Sequence, residues 1–218
     1  MLNARLTMVM TLIESCDYLC DIGSDHGYLP IEALKTGRIR KAQIVELNSK
    51  PLSIAYENVK KEQLLEDCSF FLSDGLNSVD EEVGNAVICG MGFDTIVHII
   101  TRDLDRFKTM NQIVLQSNSK VSVLRKEMSA LGFELMDERF IIDRKLPYIA
   151  LKYRYNKQRS ILMNQELYLG PFLMKEASNI YLDYCIKRLN YLKSFPEVFR
   201  KNHEVDYLSE FLHSKGKV

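Results

Sequence analysis

The chain of 218 residues has no apolar stretch approaching the roughly 20 residues that cross a bilayer, and its first apolar run is broken by Arg5 and Glu14 without a small-residue cleavage site. A soluble, cytoplasmic protein is the expectation. Its five cysteines are odd in number, form no Cys-x-x-Cys pair and stand mostly in apolar surroundings, so they read as reduced core residues rather than a disulfide framework. The four histidines are too scattered to resemble a zinc constellation, and a metal site gains no support. Nor is there excess charge of either sign: 29 basic residues face 29 acidic ones, so the whole chain advertises no polyanionic partner. From Asn156 onward ten Lys and Arg face seven Asp and Glu, a slight surplus.

What the chain does have is a series of short, continuously apolar segments rich in β-branched and aromatic residues: Tyr18–Ile22, Ala42–Leu47, Ser69–Leu72, Ala86–Cys89 and Gln112–Leu115. Helix-like stretches separate them. Strands covered on both faces read this way, and the spacing fits βαβ crossovers in a parallel sheet, so a doubly wound α/β domain is expected. Leu2–Ser15 predicts a leading helix, Tyr28–Lys35 a second ended by Gly37, and Pro51 the first turn of a third capped by Asn48 or Ser49. Ser119 is placed to cap a helix running to Leu131, before Gly132. Phe133–Ile142 and Tyr148–Tyr155, separated by "DRKLP", predict a hairpin that closes the sheet. An ending of that kind fits class I methyltransferases better than dehydrogenases.

Beyond Asn156 the pattern is helical alone. Gly170-Pro171 opens a 3–4 spacing of apolar residues that lasts to Pro196, and a last helix is expected over Glu197–Leu212. These two long helices should pair as a hairpin. The expected organisation is a catalytic domain over residues 1–155 and a helical extension over residues 156–218.

The stretch "DIGSDHGYLP" reads as strand, turn and helix. Gly23 and Gly27 let the chain leave the sheet edge sharply and let a ligand approach the backbone, while the next helix points its N–H groups into the same crevice. It is not Gly-x-Gly-x-x-Gly, because Asp25 holds the second glycine's place. A carboxylate there repels a pyrophosphate and attracts an ammonium, so S-adenosylmethionine fits better than a dinucleotide. Glu46 ends the second strand where an acid accepts from ribose hydroxyls, and Asp74-Gly75 ends the third, where a carboxylate faces an adenine amine. Gly90 and Gly92 of "CGMG" end the fourth. Candidate cofactor residues are thus Asp21, Gly23, Asp25, His26 and Gly27 in the first turn, with Glu46, Leu47, Asp74, Gly75, Gly90 and Met91 at the later strand ends. Taken singly, Asp74 reads equally as a helix cap and His26 as a surface histidine.

Arg5-Leu6, Asp21–Ile31, "NSKPLSIAYENV", "SDGL", "GMG" and "LQSN" together resemble, in order, the bacterial tRNA methyltransferases that modify N1 of the adenine at position 22. The resemblance spans about residues 2–155, and the tail is of the expected kind. It implies a Rossmann-like domain with a seven-stranded, mostly parallel sheet and a coiled-coil-like extension. It also implies S-adenosylmethionine as methyl donor and tRNA as acceptor. The chain departs from the family pattern at Phe93, at Ser117 and at Glu46, where Gly, Pro and Asp are usual.

Methylating N1 spreads positive charge over the adenine, which a carboxylate or amide oxygen stabilises, and the candidates are Asp25, Asn118 and Gln116. Asn118 has an equal reading as a helix cap. Tyr28, Phe93 and Tyr148 are candidate platforms for a base taken out of its stack, and Arg5 a candidate contact to the substrate. Arg125, Lys126, Arg144, Lys145, Lys187, Arg188 and Lys193 are candidate RNA contacts. A monomer is the favoured state. The competing readings are another acceptor for the same donor, or a silent tRNA-binding relative.

Overall fold

The computed structural model describes residues 2–80, 82–157, 161–196 and 202–217. Seven strands form one sheet in the order β3-β2-β1-β4-β5-β7-β6. β1 (Cys16–Ile22), β2 (Ile39–Glu46), β3 (Cys68–Leu72), β4 (Asn85–Met91) and β5 (Gln112–Ser117) are parallel. β6 (Phe133–Asp143) and β7 (Leu146–Tyr155) complete it as an antiparallel hairpin, with β7 against β5. The α/β, Rossmann-like expectation holds. Their two-residue link places both Arg144 (φ 48°) and Lys145 (φ 69°) in the left-handed region, as a tight hairpin turn demands.

The apolar strand runs have a direct cause. Leu19, Val87 and Val114 face one layer, where Met8, Val9 and Leu12 of α1 (Ala4–Leu12) and Leu29 and Ala33 of α2 (Tyr28–Lys35) cover them. Their neighbours Cys20, Ile88 and Leu115 face the other. There Ile96 and Ile100 of α4 (Phe93–Arg102), Phe107 of α5 (Leu104–Thr109) and Leu124 and Met128 of α6 (Val121–Ala130) cover them. With both faces buried, successive residues are all apolar and no alternation survives. α3 (Ser49–Lys61) lays Ala55 and Val59 over Ile44.

Several expected details change. The leading helix starts at Ala4, where Asn3 accepts from the Leu6 N–H at 2.9 Å, and stops at Leu12. Lys120, not Ser119, precedes α6, and neither Ser119 nor Asn118 caps it. Ser119 Oγ accepts instead from the N–H of Phe93, 3.2 Å away at the start of α4. α7 (Asn164–Leu169) is a helix that the spacing does not announce. The helix expected from Pro171 to Pro196 is two, α8 (Pro171–Glu176) and α9 (Asn179–Lys193), because Ala177 adopts a left-handed conformation (φ 46°) and its N–H bonds to Leu173 O. α10 (Asn202–Ser214) covers most of the last expected helix, of which residues 197–201 lie outside the described residues. α7 to α10 share a third apolar cluster around Tyr181, Leu182, Cys185, Leu189, Leu208 and Phe211, which meets the sheet at Phe140 and Ile149.

Candidate active site at the carboxyl edge of the sheet

The parallel strands all end at one edge, so β1, β2, β4 and β5 deliver their last residues there. At the end of β1, Gly23 has φ 73°, and its N–H reaches Val45 O at 2.9 Å, which ties the turn to β2. A Cβ on Gly23 would lie 2.0 Å from Met91 Cε, so the side chain of Met91 from β4 rests directly on this turn. The N–H of Asp25, itself left-handed at φ 56°, donates to Glu46 Oε1. Gly27 precedes the first residue of α2.

Of the candidate cofactor residues, Asp21, Gly23, Asp25 and His26 line one hollow of about 210 Å³ together with Tyr28 and Arg5, whereas Gly27, Glu46, Leu47 and Met91 do not line it. Asp25 pairs with His26 Nδ1 at 2.8 Å and keeps most of its carboxylate exposed, and the His26 ring stacks on Tyr28 with centroids 5.5 Å apart. Asp21 is buried and accepts from Ser24 Oγ at 2.5 Å. Burial pushes its carboxyl up to about 7; Ser24 offsets part of that, and the charge of Glu46 adds to it. Burial likewise raises the pKa of Glu46, against the N–H of Asp25 that lowers it.

A second, larger hollow of about 610 Å³ adjoins it and shares Asn3 and Arg5. Gly90, Asn118 and Tyr148 line it too, and the Arg5 guanidinium lies 6.0 Å from the centre of the Tyr148 ring. Gly90 (φ 82°) holds a backbone conformation that a side chain would strain, and a Cβ there would also push the Arg5 guanidinium aside, since Nη1 lies 2.6 Å from its place. Arg5 Nη1 donates to Gln116 Oε1 at 2.8 Å, and the same oxygen accepts from the N–H of Gly90 at 3.1 Å and from Cys89 Sγ at 3.4 Å. Burial pushes the Cys89 thiol up to about 12, which keeps it a donor. Gln116 Nε2 donates to Asn118 Oδ1 at 3.1 Å, and Asn118 Nδ2 to Gly90 O at 2.6 Å.

Not every expected residue reaches these hollows. Gln116 is wholly buried, so it acts on its neighbours and not by touching a substrate. The Asp74 carboxylate is held by Arg102 Nη1 at 2.5 Å, and Arg102 Nη2 also donates to Asp74 O. Its neighbour Gly75 sits under that guanidinium. Phe93 carries Lys120 over its ring at 5.4 Å and lines neither hollow. Arg125 is fully buried against Glu138, which removes it from the candidate RNA contacts, and Arg188 is paired with Glu204 at 2.7 Å. The sequence reading missed Asn3, which caps α1 and lines both hollows; Leu47, just after β2, and Leu72, at the end of β3, are exposed and line neither.

A family model for TrmK, described as tRNA (adenine(22)-N(1))-methyltransferase, matches residues 19–216. The chain belongs to this family. It is 27% identical over 201 residues to the tRNA (adenine(22)-N(1))-methyltransferase of Bacillus subtilis, covering 90% of this chain and 84% of that one. Among solved structures it resembles Streptococcus pneumoniae Sp1610 in complex with S-adenosyl-L-methionine, at 28% identity and TM-score 0.90 over 98% of this chain and 100% of that one. It also resembles M. capricolum TrmK in complex with S-adenosyl-homocysteine, at 27% identity and TM-score 0.82 over 100% and 99% of the two chains. Among the described residues no three His, Cys, Asp or Glu are grouped to hold a metal ion, and no helix is long and apolar enough to cross a membrane.

Proposed function

We propose that the protein transfers a methyl group from S-adenosyl-L-methionine to N1 of the adenine at position 22 of tRNA. The observation that carries this is that two hollows, one edged by carboxylates and one by an aromatic ring and an amide, adjoin across Arg5 at the strand ends of a TrmK-family chain.

The residues present fit the donor. Asp21 and Asp25 offer carboxylates to its ammonium, and among the described residues Asp21 is met by the Ser24 hydroxyl with no cation beside it, so a cation there relieves the cost of ionising a buried acid. Glu46 lies at the end of β2 for the ribose, and Leu47 and Leu72 suit the faces of the purine. Asp74 contributes by holding its loop through Arg102. When bound, the donor supplies an electrophilic methyl group on a positively charged sulfur.

Adenine N1 carries a lone pair in its neutral form, so positioning and exclusion of water supply most of the acceleration and no covalent intermediate on the protein is needed. The base leaves its stack at a cost of a few kcal/mol and rests on Tyr148. The oxygen of Asn118, which lines the hollow of Tyr148, stabilises the charge that the ring gains, while Asp25 lines the donor hollow and serves the ammonium there. We read the protein as a monomer at work in the cytoplasm, where tRNA is met. We read residues 1–155 as the catalytic part and residues 156–218 as an extension toward RNA. Lys145 at the hairpin tip and Lys187 of α9 line a common hollow between the two.

Incubating the purified chain with unmodified tRNA and labelled donor, then locating the label by mass spectrometry, tests the reading. One methyl at N1 of adenine 22 supports it, and label on another nucleotide or none at all overturns it.

A further inference from the structure

We propose that Asn118 reads the N6 and N7 edge of the target adenine, with its amide held in one orientation by Arg5 through Gln116. The inference rests on the methylation reading above and deepens it. At one end of the hydrogen-bond chain Arg5 Nη1 and the N–H of Gly90 converge on the Gln116 amide, and both are donors only. Gln116 must therefore turn its oxygen to them and its nitrogen to Asn118. Asn118 must answer with Oδ1, which leaves Nδ2 facing Gly90 O, an acceptor only. The two ends impose the same polarity independently, so the amide of Asn118 has no freedom to flip.

That orientation leaves Asn118 one unused lone pair on Oδ1 and one unused N–H on Nδ2, and the residue lines the larger hollow beside Tyr148. An adenine offers a donor at N6 and an acceptor at N7, the complement of one asparagine amide. A guanine offers acceptors at both O6 and N7, which sets O6 against Oδ1. Reading this edge also leaves N1, on the opposite side of the amino group, free of hydrogen bonds, as its reaction requires. The same side chain thus selects adenine over guanine and keeps the reacting nitrogen clear. Gln116, with no exposed surface, is a positioning residue in this scheme, and Arg5 positions Asn118 through it.

The test uses tRNA transcripts carrying adenosine, 7-deazaadenosine or purine riboside at the target position, so that N7 or the amino group is deleted alone. With the wild-type protein each analogue should lower kcat/KM by about tenfold, the scale of one lost base contact. Asn118→Ala should be slow on adenosine yet equally slow on all three. Asn118→Asp, which keeps an acceptor but no N–H, should lose the 7-deaza penalty and retain the purine penalty. Gln116→Glu, which removes the donor that fixes Asn118, should flatten both. Calorimetric binding of S-adenosyl-homocysteine shows that each variant is folded, and where turnover is too slow the same ratios are read from the Kd of the transcripts with that product bound. Equal rates of the wild-type protein on adenosine and 7-deazaadenosine, or the wild-type pattern persisting in Asn118→Ala, would overturn the inference while leaving the methylation reading intact. No methylation of the adenosine transcript at all would overturn both.

Discussion

Arg125 Nε and Glu138 Oε1 meet at 2.6 Å in a place where neither side chain has any exposed surface. Arg125 Nη1 goes on to donate to Leu167 O at 2.9 Å, and a carboxylate oxygen of Glu138 accepts from the N–H of Phe172 at 3.2 Å. The pair therefore joins α6 and β6 to the end of α7 and the start of α8. Burial raises the pKa of Glu138, and the charge of Arg125 opposes that rise. Removing one partner leaves a buried charge alone, so Arg125→Met should cost about 3–5 kcal/mol of stability in denaturant unfolding. Replacing both, as in Arg125→Met with Glu138→Leu, should recover much of that. A loss below 1 kcal/mol for the single change would mean that the pair does not hold the extension.

Asp21 makes stability and donor binding depend on pH in opposite directions. Its carboxyl titrates near 7 in the folded chain against about 3.9 when exposed, so the native state holds a proton that the unfolded state lacks between those values. This group's contribution to stability is accordingly greatest at acid pH and declines as pH rises from about 4 through 7. Asp21→Asn should raise Tm over wild type at pH 8, with the difference shrinking as pH falls and vanishing only below about pH 4. The ionised acid is the form that attracts a cationic donor, so wild-type affinity for S-adenosyl-L-methionine should fall from pH 8 to pH 6. Calorimetry in two buffers of different ionisation enthalpy should detect proton release, and Asp21→Asn should abolish it.

Gly90→Ala tests the contact between the two hollows. The new side chain would require φ near 82° and would meet Arg5 Nη1 at 2.6 Å, so Arg5 must leave Gln116. The strain should cost about 1–3 kcal/mol and kcat/KM for tRNA should fall by about tenfold or more. Melting curves and steady-state kinetics check the two effects separately.

For the RNA surface, Lys145→Glu and Lys187→Glu should weaken tRNA binding without altering donor affinity. Each neutralised phosphate contact contributes about one to the slope of log affinity against log salt, so each variant should flatten that slope by about one. An unchanged slope would remove the hairpin tip and α9 from the RNA path.

The parallel strands were legible because burial on both faces leaves continuous apolar text, and the closing hairpin because the short stretch "DRKLP" separates two strand-like runs. The first turn was legible in its glycines. What sequence could not show is which charges meet across long separations. Arg102 of α4 takes Asp74 from β3's loop, and Glu138 of β6 takes Arg125 from α6, so one expected adenine contact and one expected RNA contact are engaged elsewhere. The break at Ala177 was equally hidden, since alanine is a good helix former and nothing in its side chain announces the left-handed cap of α8 that it forms. Gln116 lies in an apolar strand, and its role becomes visible only when Arg5 is seen to reach it across 111 residues.

The account depends on the two hollows being the two halves of one reaction site. A crystal structure of the protein with S-adenosyl-homocysteine and adenosine bound tests this most directly. It should place the sulfur beside Gly90, pointing past Arg5 at N1 of an adenine stacked on Tyr148, with the amino group on Asn118 Oδ1. A sulfur facing Asp74 and Arg102, with the adenosine bound outside the hollow of Arg5, Gly90 and Tyr148, would contradict it.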